Sequence, residues 1–481
     1  MRPLSRRRVL ALGGLGVAST VVGGTGLIRG WPSSRSPSPV TGLSLAEPEV
    51  LSSSAGNLQV RLEAAPGTFE VAGRQASVLG YNGGLPGPTL RVQPGDRLQV
   101  VLVNGLQSPT NLHVHGLAVS PQGNGDNMFV TVDPGASFDY DYQLPADHPP
   151  GVYWYHPHHH GMVAEQVFGG LYGAIIVDDP DASAVPATRE RVLVISDISL
   201  DSAGQIPPTS TMTKVMGRQG DLVLVNGQRS PVLAARPGER ERWRIVNACA
   251  ARYLRLTLGG QQLQLLGMDS GRFATPQEVT EVVLAPGNRA DVLVGTAAGT
   301  AELRALPYNQ GGMGMMGGSN SPANGTILAT LDVTGPAVAA LAPVAPQPQP
   351  RDLRGVAVDR RRELTFAIGM GGAPGSFTID GKAFDPARVD QAVRVGTVEE
   401  WTLRNASPMD HPIHLYVWPM QLVETNGQPA QEATRQDVVN VPAQGNVKVR
   451  VAFDTFGGRT VYHCHILDHE DLGMMGVVDV R

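Results

Sequence analysis

The chain has 481 residues, enough for about three domains of ordinary size. Its 58 glycines and 38 prolines are too frequent for long helices and suit short strands joined by turns, so an all-β fold is predicted. A net charge of −5 supplies no basic stripe, which excludes a nucleic-acid-binding role.

Residues 1–30 read as a twin-arginine signal segment: Arg6, Arg7 and Arg8 precede a Gly-rich apolar stretch from Ala11 to Ile28. That stretch is also long enough to span a bilayer, so an uncleaved anchor is the alternative. The rest of the chain is therefore expected in the periplasm, outside the cell or held on the membrane. Residues 31–56, Ser/Pro-rich from Pro32 to Pro39, are predicted as a flexible tether. From Asn57 onward one plan recurs three times, at Leu90 to Asn104, Ala235 to Asn247 and Val393 to Asn405. Each copy is a turn with Gly, a strand of alternating apolar residues, then Asn. The repeat predicts β-sandwich domains at 57–181, 182–334 and 356–481, with 335–355 as a Pro/Ala-rich linker.

Histidines follow the repeat in its first and third copies. Tyr155-His156-Pro157-His158 corresponds to Tyr462-His463-Cys464-His465, and His113-Val114-His115 to His411-Pro412-Ile413-His414. Facing histidine sets are what a metal cluster at the interface of two domains requires. The second copy has no histidine and reads as a structural spacer.

The C-terminal run from His463 to Met475 carries the sharpest chemistry. Cys464, His469 and Met474 supply a thiolate, an imidazole and a thioether, which with one more histidine make a blue-copper ligand set. Cβ atoms alternate along a strand, so His463 and His465 point away from Cys464, and one tripeptide can serve metal on both sides. Electrons arriving at Cys464 then have a covalent route to both flanking imidazoles. With Cys464 committed to copper, Cys249 has no disulfide partner and is expected as a small buried residue.

These four histidine motifs, in this order between Asn57 and Arg481, resemble the three-domain multicopper oxidases, the laccase and cuprous oxidase group. The resemblance implies three cupredoxin-like Greek-key sandwiches and an oxidase with dioxygen as acceptor. It implies a type 1 copper on His411, Cys464 and His469 with Met474 axial, Met475 being the less favoured axial residue. A type 2 copper falls to His113 and His414, and one type 3 copper to His115, His156 and His465. The other type 3 copper takes His158 and His463, but Tyr416 stands where the family's HPxHLH motif has its last histidine. Phenol can bind as phenolate beside a cation, yet it is bulkier and harder than imidazole. A weakened type 3 site with impaired oxygen reduction is therefore expected. Of His159 and His160, alternation puts only His160 on the face of His158 as a substitute. Glu470 matches the family's acid beside the trinuclear cluster, and Asp126 resembles the acid near the type 2 copper; both would move protons. An ordinary turn residue is the other reading of Asp126, in Gly123 to Asn127.

Oxidation of the donor, Cu(I) or a small aromatic reductant, is expected at the type 1 copper, with His411 the ligand nearest solvent. Met409 and Asp410 precede His411, and Met313, Met315 and Met316 lie in a Gly-rich loop. Thioethers select Cu(I), so these residues suggest a cuprous oxidase acting in copper homeostasis; a surface loop with incidental methionines is the alternative. A non-catalytic blue copper protein that sequesters the metal is the alternative function if Tyr416 disables the cluster. The chain is expected to act as a monomer.

Overall fold

In Asn57–Val71, Leu58, Val60, Leu62 and Ala64 are buried while Gln59, Arg61 and Glu63 are exposed, the period-two pattern of a strand with one apolar face. The computed structural model containing this strand describes residues 42–312, 324–369 and 376–481. The segment expected as a signal, the expected tether up to residue 41, and Met313, Met315 and Met316 lie outside the described residues.

Three β-sandwiches follow one another, as the repeat predicts. In the first, the sheet Arg74–Tyr81, Asn57–Val71, Arg97–Asn104, Ser137–Gln143 faces a five-stranded sheet. The latter runs Val50–Ser52, Thr89–Val92, Gly173–Val177, Gly151–His156, His113–His115. Val50–Ser52 pairs in parallel with Thr89 to Arg91, so this sandwich begins before Asn57 and the predicted tether is too long at its C-terminal end. The second sandwich packs a six-stranded on a five-stranded sheet. In the third, a five-stranded sheet runs Gln391–Val393, Met475–Val480, Gly458–Cys464, His411–Leu415, Val438–Val441.

The asparagine ending each sequence repeat does the same job three times. Nδ2 of Asn104, Asn247 and Asn405 donates to the carbonyls of Val132, Leu284 and Val441 at 2.8, 3.0 and 3.0 Å. Each Oδ1 accepts the backbone N–H two residues on, from Leu106, Cys249 and Ser407. A fully buried Asn thus closes the turn that leads, in the first and third sandwiches, to a histidine strand.

The linker has no helix or strand among residues 335–355, yet it is held against the second sandwich by Arg240, which donates to the carbonyls of Leu341 and Ala342. Three short helices matter to the site: α1 (Val163–Gly169), α2 (Thr211–Met216) and α3 (Leu467–Asp471). Asp468 of α3 forms a buried ion pair with Arg218 just after α2, at 2.7 Å. Asp471 accepts from the backbone N–H groups of Gly161, Val163 and Ala164 at the start of α1. The helix that carries His469 and Glu470 is thereby bolted to both other sandwiches. No helix among the described residues is long and apolar enough to cross a membrane.

Candidate metal centre

Two strand pairs build the centre. His113–His115 runs antiparallel to Gly151–His156 with His113 opposite His156, and His411–Leu415 runs antiparallel to Gly458–Cys464 with His414 opposite His463. The two pairs meet where the first and third sandwiches abut: His113 Nε2 lies 3.3 Å from His414 Nε2 and His158 Nε2 3.0 Å from His463 Nε2.

On one side of this strand, Cys464 Sγ is 3.4 Å from His411 Nδ1 and 3.8 Å from His469 Nδ1. Met475 is the register partner of His463 and so shares its face; Met474, whose carbonyl accepts from Cys464 N, falls on the face of Cys464. Register therefore favours Met474 over Met475 as the axial thioether. Burial pushes the Cys464 thiol up, away from thiolate formation. A soft cation at this position would displace the proton outright, since a coordinating thiol is deprotonated. Two imidazoles, a thiol and a buried thioether fit copper.

On the other side, imidazole nitrogens converge in three groups: His113, His115 and His414; His115, His156 and His465; and His158, His463 and Glu470. Most rings are held by their outer nitrogen. His113 Nδ1 bonds Asp126 at 2.9 Å, His414 Nδ1 the carbonyl of Asp437 at 2.8 Å, and His156 Nδ1 that of Pro157 at 2.9 Å. This pattern fixes the tautomer and leaves the inner nitrogen as an electron-pair donor, as in ligating histidines. Burial, with neighbouring imidazoles, holds His113, His115, His156, His158, His414 and His465 well below the ordinary histidine range, hence neutral. Neutral imidazole is the ligating form.

Tyr416 is fully buried, with its ring stacked on His113 at 3.9 Å and edge-on to His158 at 5.3 Å. Its hydroxyl has no hydrogen-bond partner, and burial together with Asp126 and Glu470 keeps the phenol protonated. His160 turns away: its ring lies against Phe384 at 4.7 Å. The strand ends at His156, so alternation does not carry through to residue 160. Asp126 is not a solvated turn residue; it is buried on His113, and burial pushes its pKa well above the ordinary carboxylate range.

Three multicopper oxidase family profiles match residues 63–182, 189–335 and 356–481, one per sandwich. The chain belongs to the multicopper oxidase family. It is similar to a Campylobacter jejuni multicopper oxidase described as a metallo-oxidase, 30% identical, with a TM-score of 0.82 and coverage of 92% of this chain and 95% of that one. A Staphylococcus aureus multicopper oxidase is 28% identical, with 85% of each chain covered. A cell division protein, FtsP of Dickeya dadantii, is 29% identical, with 83% of this chain and 84% of that protein covered. The chain is thus a copper-dependent oxidoreductase using oxygen, built from three cupredoxin-like sandwiches.

Within this multicopper oxidase, several residues around the histidine groups were not legible as motifs. Asp437 Oδ1 lies 2.9 Å from His115 Nε2, and the guanidinium of Arg289 grips both Asp437 oxygens at 2.6 Å. Arg289 belongs to the second sandwich and also donates to the carbonyl of Val152 in the first. At Gly287, with φ of +85°, a Cβ would sit 2.8 Å from the ring of His465. The second sandwich is therefore no mere spacer: the turn Gly287-Asn288-Arg289 is a wall of the cluster. Its lack of histidine hid this, because a guanidinium and a glycine leave no metal signature.

His411 is fully buried with Nε2 bonded to Ser407 Oγ at 2.7 Å, and His469 Nε2 bonds the carbonyl of Val215 in α2 at 2.9 Å. Cys464, His469 and Met474 are buried as fully as His411, so exposure does not single out the ligand nearest solvent. Asp410 is occupied as well: Oδ2 accepts from Tyr308 and Asn440 and Oδ1 from Ala443 N. Its carboxylate ties these strands and turns together. Met409 is buried beside it.

Proposed function

We propose that this multicopper oxidase is a cuprous oxidase, exported by the twin-arginine route and acting as a monomer in the periplasm or at the outer face of the membrane in copper homeostasis. What supports this reading is the root of the Met-rich segment. Gly311 bridges to Met409, two residues from the type 1 ligand His411, and Gly312 N donates to the carbonyl of Pro408 at 2.9 Å. From that root the chain continues into Met313, Met315 and Met316. Met216 of α2 reaches the same root, its Cε 3.0 Å from where a Cβ on Gly312 would be, one residue after the carbonyl that binds His469. Thioethers favour Cu(I) over harder ions.

Copper held by these residues supplies the one-electron chemistry and the four-electron reduction of dioxygen to water. Cys464 joins its two ligand sets through adjoining peptide bonds to His463 and His465. Ser407 and Val215 orient the type 1 imidazoles, and Asp126 orients His113 while holding a proton at its buried carboxyl. Small aromatic reductants are the second donor class.

Replacing Met216, Met313, Met315 and Met316 by serine should raise the KM for Cu(I) by at least about tenfold, roughly 1.4 kcal/mol of lost binding, with phenol oxidation changed little. Equal losses on both donors would show that the methionines are incidental. The second reading, a blue copper protein that stores the metal, draws on Tyr416; copper-saturated protein that consumes no dioxygen with either donor would establish it.

A further inference from the structure

The second half of the type 3 pair lacks an imidazole in its family position, yet a third donor is present. Glu470 Oε1 lies 3.1 Å from His158 Nε2, and Oε2 lies 3.1 Å from His463 Nδ1. His158 Nε2 lies 3.0 Å from His463 Nε2, and one donor atom from each of the three groups falls within 4.8 Å of the others. The Glu470 contact to His463 is at Nδ1, which also bonds the Cys464 carbonyl, so Nε2 is the nitrogen free to share an ion with His158 and Glu470. Around such an ion, bonds of about 2 Å in a tetrahedral set put ligands about 3.3 Å apart. All three side chains are fully buried. Neither Glu470 oxygen has a hydrogen-bond donor in correct alignment, and His158 Nδ1 has no partner. A buried carboxylate without donors is costly unless a cation or a proton compensates it. Tyr416, stacked on His113 and edge-on to His158, occupies the missing ring's volume while its hydroxyl meets no polar group.

We propose that the remaining metal ion of the cluster is held by His158, His463 and the carboxylate of Glu470, with Tyr416 filling the place of the absent imidazole without binding. This rests on the multicopper oxidase reading and changes the role expected of Glu470, from proton carrier to ligand. Two imidazoles and one carboxylate accept divalent copper. The carboxylate offsets one positive charge, which three neutral imidazoles would not do, and so favours the divalent over the monovalent state at this position.

The test is copper per chain on reconstituted full-length protein, by elemental mass spectrometry, with spin resonance and the blue absorption of the type 1 copper recorded on each sample. Wild type and Tyr416→Phe should carry the full complement of four. Glu470→Gln should keep its blue absorption and carry one copper fewer, and Glu470→Gln combined with Tyr416→His should regain it. Full copper in Glu470→Gln overturns the proposal, as does loss of one copper in Tyr416→Phe, which would make the phenol the ligand. Because Tyr416→Phe removes a hydroxyl that bonds nothing, it still decides between phenol and carboxylate if Glu470→Gln proves unstable. Blue wild-type protein with only three coppers sinks this proposal alone, whereas protein that never turns blue sinks the functional reading beneath it.

Discussion

The two halves proposed for the type 3 pair are built from the same strand pairs and differ in kind. His115, His156 and His465 form a half made of three imidazoles, backed by Asp437, the Pro157 carbonyl and the Gly287 turn. His158 and His463 form a half in which the neighbouring positions are a phenol and a carboxylate. In the first half, support from the second sandwich holds the ligands; in the second, it is α3, bolted at Asp468 and Asp471, that delivers Glu470. One substitution in a strand motif leaves the backbone register unchanged, with His414 still opposite His463. What it alters is the donor chemistry, and the side chain that answers it comes from a different element.

The largest expected effect strikes both halves alike. Cys464→Ser removes the thiolate that joins them to the type 1 copper, and blue absorption and turnover should vanish together. Retention of either would mean that the tripeptide is not the link. A variant that separates the halves is Arg289→Ala. It strands the buried Asp437 carboxylate, so unfolding free energy should drop by about 3–5 kcal/mol. Affinity for the copper ions on His115 and His414 should fall about 10- to 100-fold, with the blue absorption unchanged. Titrations identical to wild type would return the second sandwich to the role of spacer.

The smallest effect concerns the metal-free chain. Burial holds His469 and His148 at about 4, and the cluster imidazoles are also lowered. The unfolded chain protonates its histidines near about 6.5, so below that value it binds more protons than the folded chain. Stability is therefore complete above about pH 6.5 and is lost as the pH falls toward 4. The denaturation midpoint of the metal-free protein should be lower at about pH 5 than at about pH 7.5, and Tyr416→His should steepen the decline by adding one more buried imidazole. A flat midpoint would contradict neutral burial.

Much of the ligand set was readable because strand alternation is a local rule. Cys464 between His463 and His465 implies two faces whatever surrounds it, and the Asn-terminated repeat marked the three sandwiches before any contact was known. Asp437 and Arg289 were not readable, since each lies in an ordinary strand or turn and acquires its role only from a partner more than a hundred residues away. The bond between His411 and Ser407 was unreadable for a related reason, since spacing does not reveal that the Ser407 side chain reaches back to the ring. Asp126 looked equally like a turn residue, and its bond to His113 decided the matter.

By itself, then, the amino-acid sequence determined the donor types, the fold class and the facing arrangement of the first and third sandwiches, because composition, period-two alternation and repeats are properties of short stretches of chain. Only the tertiary structure decided which imidazoles share a group, that the second sandwich walls the cluster through Gly287 and Arg289, and that Glu470 stands beside His158 and His463. Those outcomes depend on the docking of three sandwiches, whose long-range packing no local pattern encodes.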